Sequence, residues 1–96
     1  MALKLIGHVV AILPEEAGNS AKGEWVRRTF IVEYGDEYPR KCAITATDEQ
    51  RVAQVGSLQV GQLVWCSISV SSREYEGRWF TDVRLVRFDG VQGGAQ

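Results

Sequence analysis

The stretch Leu63–Ser72 reads LVWCSISVSS, and its alternation decides the fold. Val64, Cys66, Ile68 and Val70 fall on one side of an extended chain; Trp65, Ser67, Ser69 and Ser71 fall on the other. Successive side chains of a strand point to opposite faces, so this pattern predicts a strand with one apolar and one half-polar face. Toward the C-terminus, REYEG (73–77) reads as a hairpin connection with an aromatic tip, and RWFTDVRLVRF (78–88) as the strand returning from it. In that return strand Trp79, Thr81, Val83 and Leu85 share one face, which places Trp79 in the core; Arg78, Phe80, Asp82, Arg84, Val86 and Phe88 share the other. Residues 90–96 are rich in glycine and glutamine and are expected to form a disordered tail behind a domain spanning 2–89.

Toward the N-terminus, DEQRVAQV (48–55) is the one helix-like segment, with Thr47 or Asp48 as its cap and Val52 and Val55 three positions apart on one face. At about two turns it needs the rest of the fold to hold it. YPRKCAITAT (38–47) and WVRRTFIVEY (25–34) are strand-like and are joined by Gly35-Asp36-Glu37, a tight hairpin connection. EEAGNSAKGE (15–24) has no periodicity and reads as a mobile loop. LKLIGHVVAIL (3–13) is a first strand, with Gly7 as a candidate bulge or sharp bend and Pro14 as its stop. The order is three strands, a short helix and two strands. Closing five short strands on themselves removes exposed edges. The expected fold is therefore all-β: a five-stranded OB-fold barrel with a short helix between strands three and four. A small β-sandwich and an SH3-like barrel are the alternatives, and the helix-bearing connection favours the OB reading.

Composition bounds the function. The chain has 96 residues, 45% of them hydrophobic, and a formal net charge of −1. It is one thin-cored domain, too apolar for wholesale disorder. It carries no global positive excess, so any affinity for nucleic acid must come from local patches. Cys42 and Cys66 lie in apolar runs and read as reduced, buried thiols of a cytoplasmic protein. No apolar run approaches the roughly 18 residues of a membrane span, and no signal peptide is apparent.

Three segments resemble a family of small bacterial and phage proteins of unknown function described as having an OB fold: ILPEEAGNSAKGEW (12–25), LQVGQLV (58–64) and SREYEGRWFTDVRL (72–85). The likeness covers about residues 3–88 and is most specific between Ser72 and Val83. The chain also resembles, more distantly, bacterial single-stranded DNA-binding proteins, with Leu58, Val60, Gly61, Arg73, Tyr75, Trp79 and Thr81 in comparable places. The acidic, partner-recruiting tip of that family is absent from this sequence. The resemblance implies a single-stranded nucleic acid, DNA or RNA, as partner. A thin-cored domain gains burial by associating, so a homo-oligomer of two or four copies is also expected.

Binding a single strand without regard to sequence needs flat faces for bases and cations for the backbone. The connection before the second strand offers Lys22, Trp25 and Arg27; the last hairpin offers Arg73, Tyr75, Arg78 and Phe80. Glu74 and Glu76 beside Tyr75 work against phosphate there. Trp65, among serines, is the candidate for a subunit interface. Catalysis finds little support. His8 is the single histidine and has no nucleophile at fixed spacing, GNSAKG lacks P-loop spacing, and two cysteines with one histidine are too scattered to hold a metal. The expectation is a binding module with neither cofactor nor metal; the alternative is a protein-interaction or self-associating OB module.

Overall fold

A computed structural model describes residues 3–93. Six strands and one helix follow in the order β1 (Leu3–Ile12), β2 (Glu16–Ser20), β3 (Gly23–Tyr34), β4 (Arg40–Ala46), α1 (Glu49–Gly56), β5 (Leu63–Tyr75) and β6 (Arg78–Gln92). They form one sheet in the order β1-β5-β6-β4-β3-β2, with β1 also pairing with β3.

Two features correct the expected five-stranded barrel. First, residues 15–24 are no mobile loop: Glu16–Ser20 pairs in full register with Gly23–Arg27, which adds a strand and puts the helix between the fourth and fifth strands. Sequence periodicity misses β2 because its side chains are small or polar on both faces and bury little. Second, β4 and β6 meet at a single parallel bridge, Thr45 with Arg84, so no continuous ladder closes that side. The architecture is a six-stranded sheet. Gly90, Val91 and Gln92, expected in the tail, belong to β6; residues 94–96 lie outside the described residues.

The core gathers Val9, Phe30, Val32, Ile44 and Ala46 from the N-terminal strands, Val52, Val55 and Leu58 from α1 and its exit, and Val64, Cys66, Ile68 and Leu85 from β5 and β6. Strand alternation places most of these, and the 3-residue spacing of Val52 and Val55 turns both from α1 onto the sheet. Asp48 caps α1, its carboxylate accepting from the Arg51 amide at 2.7 Å. Gly7 is no bulge; the register shift lies between Val9 and Ala11. It marks a close crossing instead, because a Cβ there would stand 2.4 Å from the Glu33 carbonyl oxygen.

Trp79 and Val70, expected inside, are 68% and 47% exposed. The cause is strand length. β1 pairs with β5 only as far as Ile68, and β4 touches β6 only at Arg84, so, among the described residues, 70–83 pair only with each other. They form a two-stranded arm standing off the sheet. Its tip is a two-residue turn with Glu76 and Gly77 both left-handed (φ 50° and 80°), the geometry whose twist suits a hairpin. Farther along β6, register shifts beside Cys66 and Ser67 set Phe88 opposite Cys66 and Leu85 opposite Ile68. Phe88 thereby reaches the core edge, 5.5 Å from Phe30 between ring centroids, despite its place on the other face in simple alternation.

Candidate nucleic-acid interface

The expected site residues fall on two separate hairpins. On the arm, Arg73 is paired with Phe80 and Tyr75 with Arg78. Directly paired residues of an antiparallel ladder project to the same face, so these four side chains share one surface. The next pairs on that face are Ser71 with Asp82 and Ser69 with Arg84. The opposite face carries Val70 with Val83, Ser72 with Thr81, and Glu74 with Trp79. Glu74 therefore points away from Arg73 and Tyr75, which removes part of the repulsion expected from its place in the sequence.

Tyr75 is 66% and Phe80 42% exposed. The guanidinium of Arg73, an exposed residue, lies 5.7 Å from the Phe80 centroid. Among the described residues, Arg73, Arg78 and Arg84 make no ion pair, so their charge is uncompensated apart from Asp82 on the same face. Arg84 was not among the expected binders, although the alternation Arg78-Phe80-Asp82-Arg84 already sets it on the arginine face.

The other hairpin is less suited to phosphate. Lys22 is exposed at the turn between β2 and β3. Trp25 faces Gly18 across the ladder, and its indole lies against that glycine. The Arg27 guanidinium lies 5.2 Å from the Trp25 ring centroid, but its Nε donates to Glu16 at 2.8 Å, so its charge is already answered. Trp65 sits on the outer face of β5, between Ile6 of β1 and Gly90 of β6. Beside it Lys4 Nζ donates to Ser67 Oγ at 2.8 Å and to Asp89 at 2.9 Å, Ser67 Oγ donates to Asp89 at 2.7 Å, and Arg87 Nε donates to Asp89 at 2.9 Å. Donation from Lys4 above all, then from Ser67 and Arg87, lowers the Asp89 carboxyl to about 2 against the upward push of partial burial. Burial, followed by the nearby Asp89 carboxylate, pushes the Cys66 thiol up to about 12. Among the described residues no group of three or more His, Cys, Asp and Glu side chains is arranged to hold a metal ion.

A profile of the family described as "Domain of unknown function (DUF3127)" matches residues 4–89. The chain belongs to that family. No curated protein matches it. Among solved structures it is similar to the mitochondrial single-stranded DNA binding protein Rim1 of S. cerevisiae, at 15% identity and a TM-score of 0.66 over 96% of this chain and 92% of that one. It is also similar to the SSB domain of a Synechococcus sp. protein, at 9% identity and a TM-score of 0.65 over 91% of each chain. At such identities the likeness is one of fold, and the DUF3127 chain shares the OB-type fold of these proteins.

Proposed function

We propose that this chain is a non-catalytic module that binds single-stranded nucleic acid along the arginine-aromatic face of the β5–β6 arm. The observation that carries the reading is the pairing of Arg73 with Phe80 and of Tyr75 with Arg78 on one exposed face. Aromatic planes take bases from a strand of any sequence, and unpaired arginines take its phosphates. The seven residues from Ser69 to Tyr75 span roughly 20 Å at strand spacing, room for a few nucleotides. The fold shared with proteins described as single-stranded DNA-binding supports the same reading. Lys22, Trp25 and Arg27 are secondary contacts in this proposal, since Arg27 is engaged by Glu16.

The test is a titration of the chain with fluorescent oligo-dT and oligo-rU in low salt, with duplex DNA as competitor. Saturable binding that duplex displaces poorly is the expected result, and the ratio of the two affinities reads the DNA or RNA preference. No signal change at micromolar protein would sink the proposal.

A second reading, self-association, is favoured by the outer face of β1 and β5. Ile6 is 51% exposed beside Trp65, and among the described residues the edge of β1 from Leu3 to Gly7 opposite β5 carries no strand. An unpaired apolar edge invites a second copy. Sedimentation measures it directly: a dimer or tetramer that Trp65→Arg dissociates is expected, and a monomer at high concentration would exclude it.

A further inference from the structure

Between the β2–β3 hairpin and the first turn of α1 lies a groove of about 900 Å³. Its walls differ in chemistry from the arm. The pairs Ala17–Val26 and Asn19–Glu24 share one face of the hairpin, and across the gap stand Asp48, Glu49 and Val52. Ala17, Val26 and Val52 make an apolar floor. Glu15, Glu24, Asp48 and Glu49 surround it, and no lysine or arginine lines it. Asp48 is engaged in capping α1 and in its pair with Arg51. Glu15, Glu24 and Glu49 make no ion pair among the described residues. A cleft lined by one sign of charge concentrates counter-charge within it.

The backbone beside this groove is open. β3 sits between β4 and β2, but β4 pairs with it only from Arg28 onward, because the chain leaves β4 at Ala46 and turns into α1. Gly23–Arg27 therefore has a partner on its β2 edge and none on the other among the described residues. Such an edge accepts an added strand, with main-chain hydrogen bonds giving affinity and alternate side chains giving selectivity.

We propose that this groove docks an extended cationic peptide segment that adds as a strand to the open edge at Gly23–Arg27. A lysine or arginine stands beside Glu24, and an aliphatic residue two positions along stands beside Val26, since residues two apart share a face. Glu15 and Glu49 flank the cation. Phosphate is repelled by the same carboxylates, so this groove and the arm divide the surface by charge.

The test uses the full chain and a fluorescein-labelled peptide of sequence KTVTKTVTK, with ETVTETVTE as control. Amide shifts in 15N spectra are expected at residues 23–27 and 47–53. The triple variant E15Q/E24Q/E49Q, altered only at exposed positions, is expected to weaken the lysine peptide at least tenfold, and the glutamate peptide is expected not to bind. Arg73→Ala with Phe80→Ala is expected to leave peptide affinity unchanged, so the groove is read independently of the arm. Absence of peptide binding, equal binding of the control, unchanged affinity in the triple variant, or oligo-dT shifting the amides of 47–53 would each overturn the proposal.

Discussion

Arg73 faces Phe80 across the β5–β6 ladder, its guanidinium 5.7 Å from the ring centroid, on a part of the hairpin that pairs with no third strand among the described residues. An exposed cation–ring contact contributes only about 0.5–1 kcal/mol, so this pair is a poor investment in stability and a good platform for a base. Phe80→Ala and Tyr75→Ala are each expected to weaken oligo-dT binding by about 1–3 kcal/mol, roughly 5- to 150-fold. Both are expected to shift unfolding free energy by less than about 0.5 kcal/mol. Trp79→Ala, on the opposite face of the ladder, is expected to leave affinity unaltered. Fluorescence titration beside urea unfolding checks all three, and a Trp79 effect equal to that of Phe80 would refute the sidedness.

Arg73, Arg78 and Arg84 make three candidate phosphate contacts. For single strands each neutralised phosphate contributes a slope of about −0.7 in log affinity against log salt, so three contacts give roughly −2. Arg84→Ala is expected to make that slope shallower by about 0.7, and Arg27→Ala, whose charge Glu16 already answers, to leave it in place. Titrations between 20 and 300 mM salt, roughly the range over which screening changes most, read the slope directly. A slope near zero in the unaltered chain would remove the electrostatic part of the argument.

What could be read from the residues depended on whether burial followed strand period. Val64, Cys66 and Ile68 obey it because β1 covers that part of β5, and Val52 and Val55 obey helical spacing. Val70 and Trp79 continue the same alternation beyond the last neighbouring strand, where pattern no longer implies burial. Sequence period states which face a side chain takes, and only the lengths of the flanking strands state whether that face is covered. β2 was hidden for the converse reason, since Ala17, Gly18 and Asn19 carry no apolar signal although their backbone pairs fully. The arginine-aromatic face was legible as residues, because Arg73, Tyr75, Arg78 and Phe80 are adjacent in the chain. That Arg73 and Tyr75 share the face of Phe80 and Arg78 was not, since it depends on the ladder register fixed by the two-residue turn at Glu76–Gly77.

Gly7 gives a stability prediction that rests on one crossing. β1 passes from pairing with β5 to pairing with β3 around His8, which has both Leu63 and Glu33 as partners. A Cβ at Gly7 would stand 2.4 Å from the Glu33 carbonyl oxygen and 2.6 Å from Val32 Cγ1. Val32 is fully buried, so its side chain has no free space to yield into. Gly7→Ala is expected to destabilise by about 1–3 kcal/mol, as overpacking does. Gly18→Ala meets only the rim of the half-exposed Trp25 indole, which can swing aside, and is expected to cost less. Urea midpoints of the two variants compare them, and equal losses would show that the β1–β3 crossing is not the tight point.

Asp89 supplies a pH dependence whose sign is fixed by the direction of its shift. Its carboxyl is lowered from 3.8 to about 2 by donation from Lys4, then Ser67 and Arg87. A carboxylate that titrates lower in the folded chain than in the unfolded one binds protons less readily when folded, so protonation favours unfolding. Its contribution is complete above 3.8 and disappears as pH falls toward about 2. The hydroxyl of Ser67 is fully buried and spends its proton on Asp89, so the network fails together when the carboxylate is neutralised. Asp89→Asn is therefore expected to lower the thermal midpoint at neutral pH. The gap to the unaltered chain is expected to narrow steadily between 3.8 and about 2, because acid makes the same change the substitution makes. Other carboxylates titrate in both chains and cancel in that difference. Thermal melts at half-unit pH steps measure it, and a gap that stays constant on acidification would show that Asp89 does not hold Lys4, Ser67 and Arg87 through its charge.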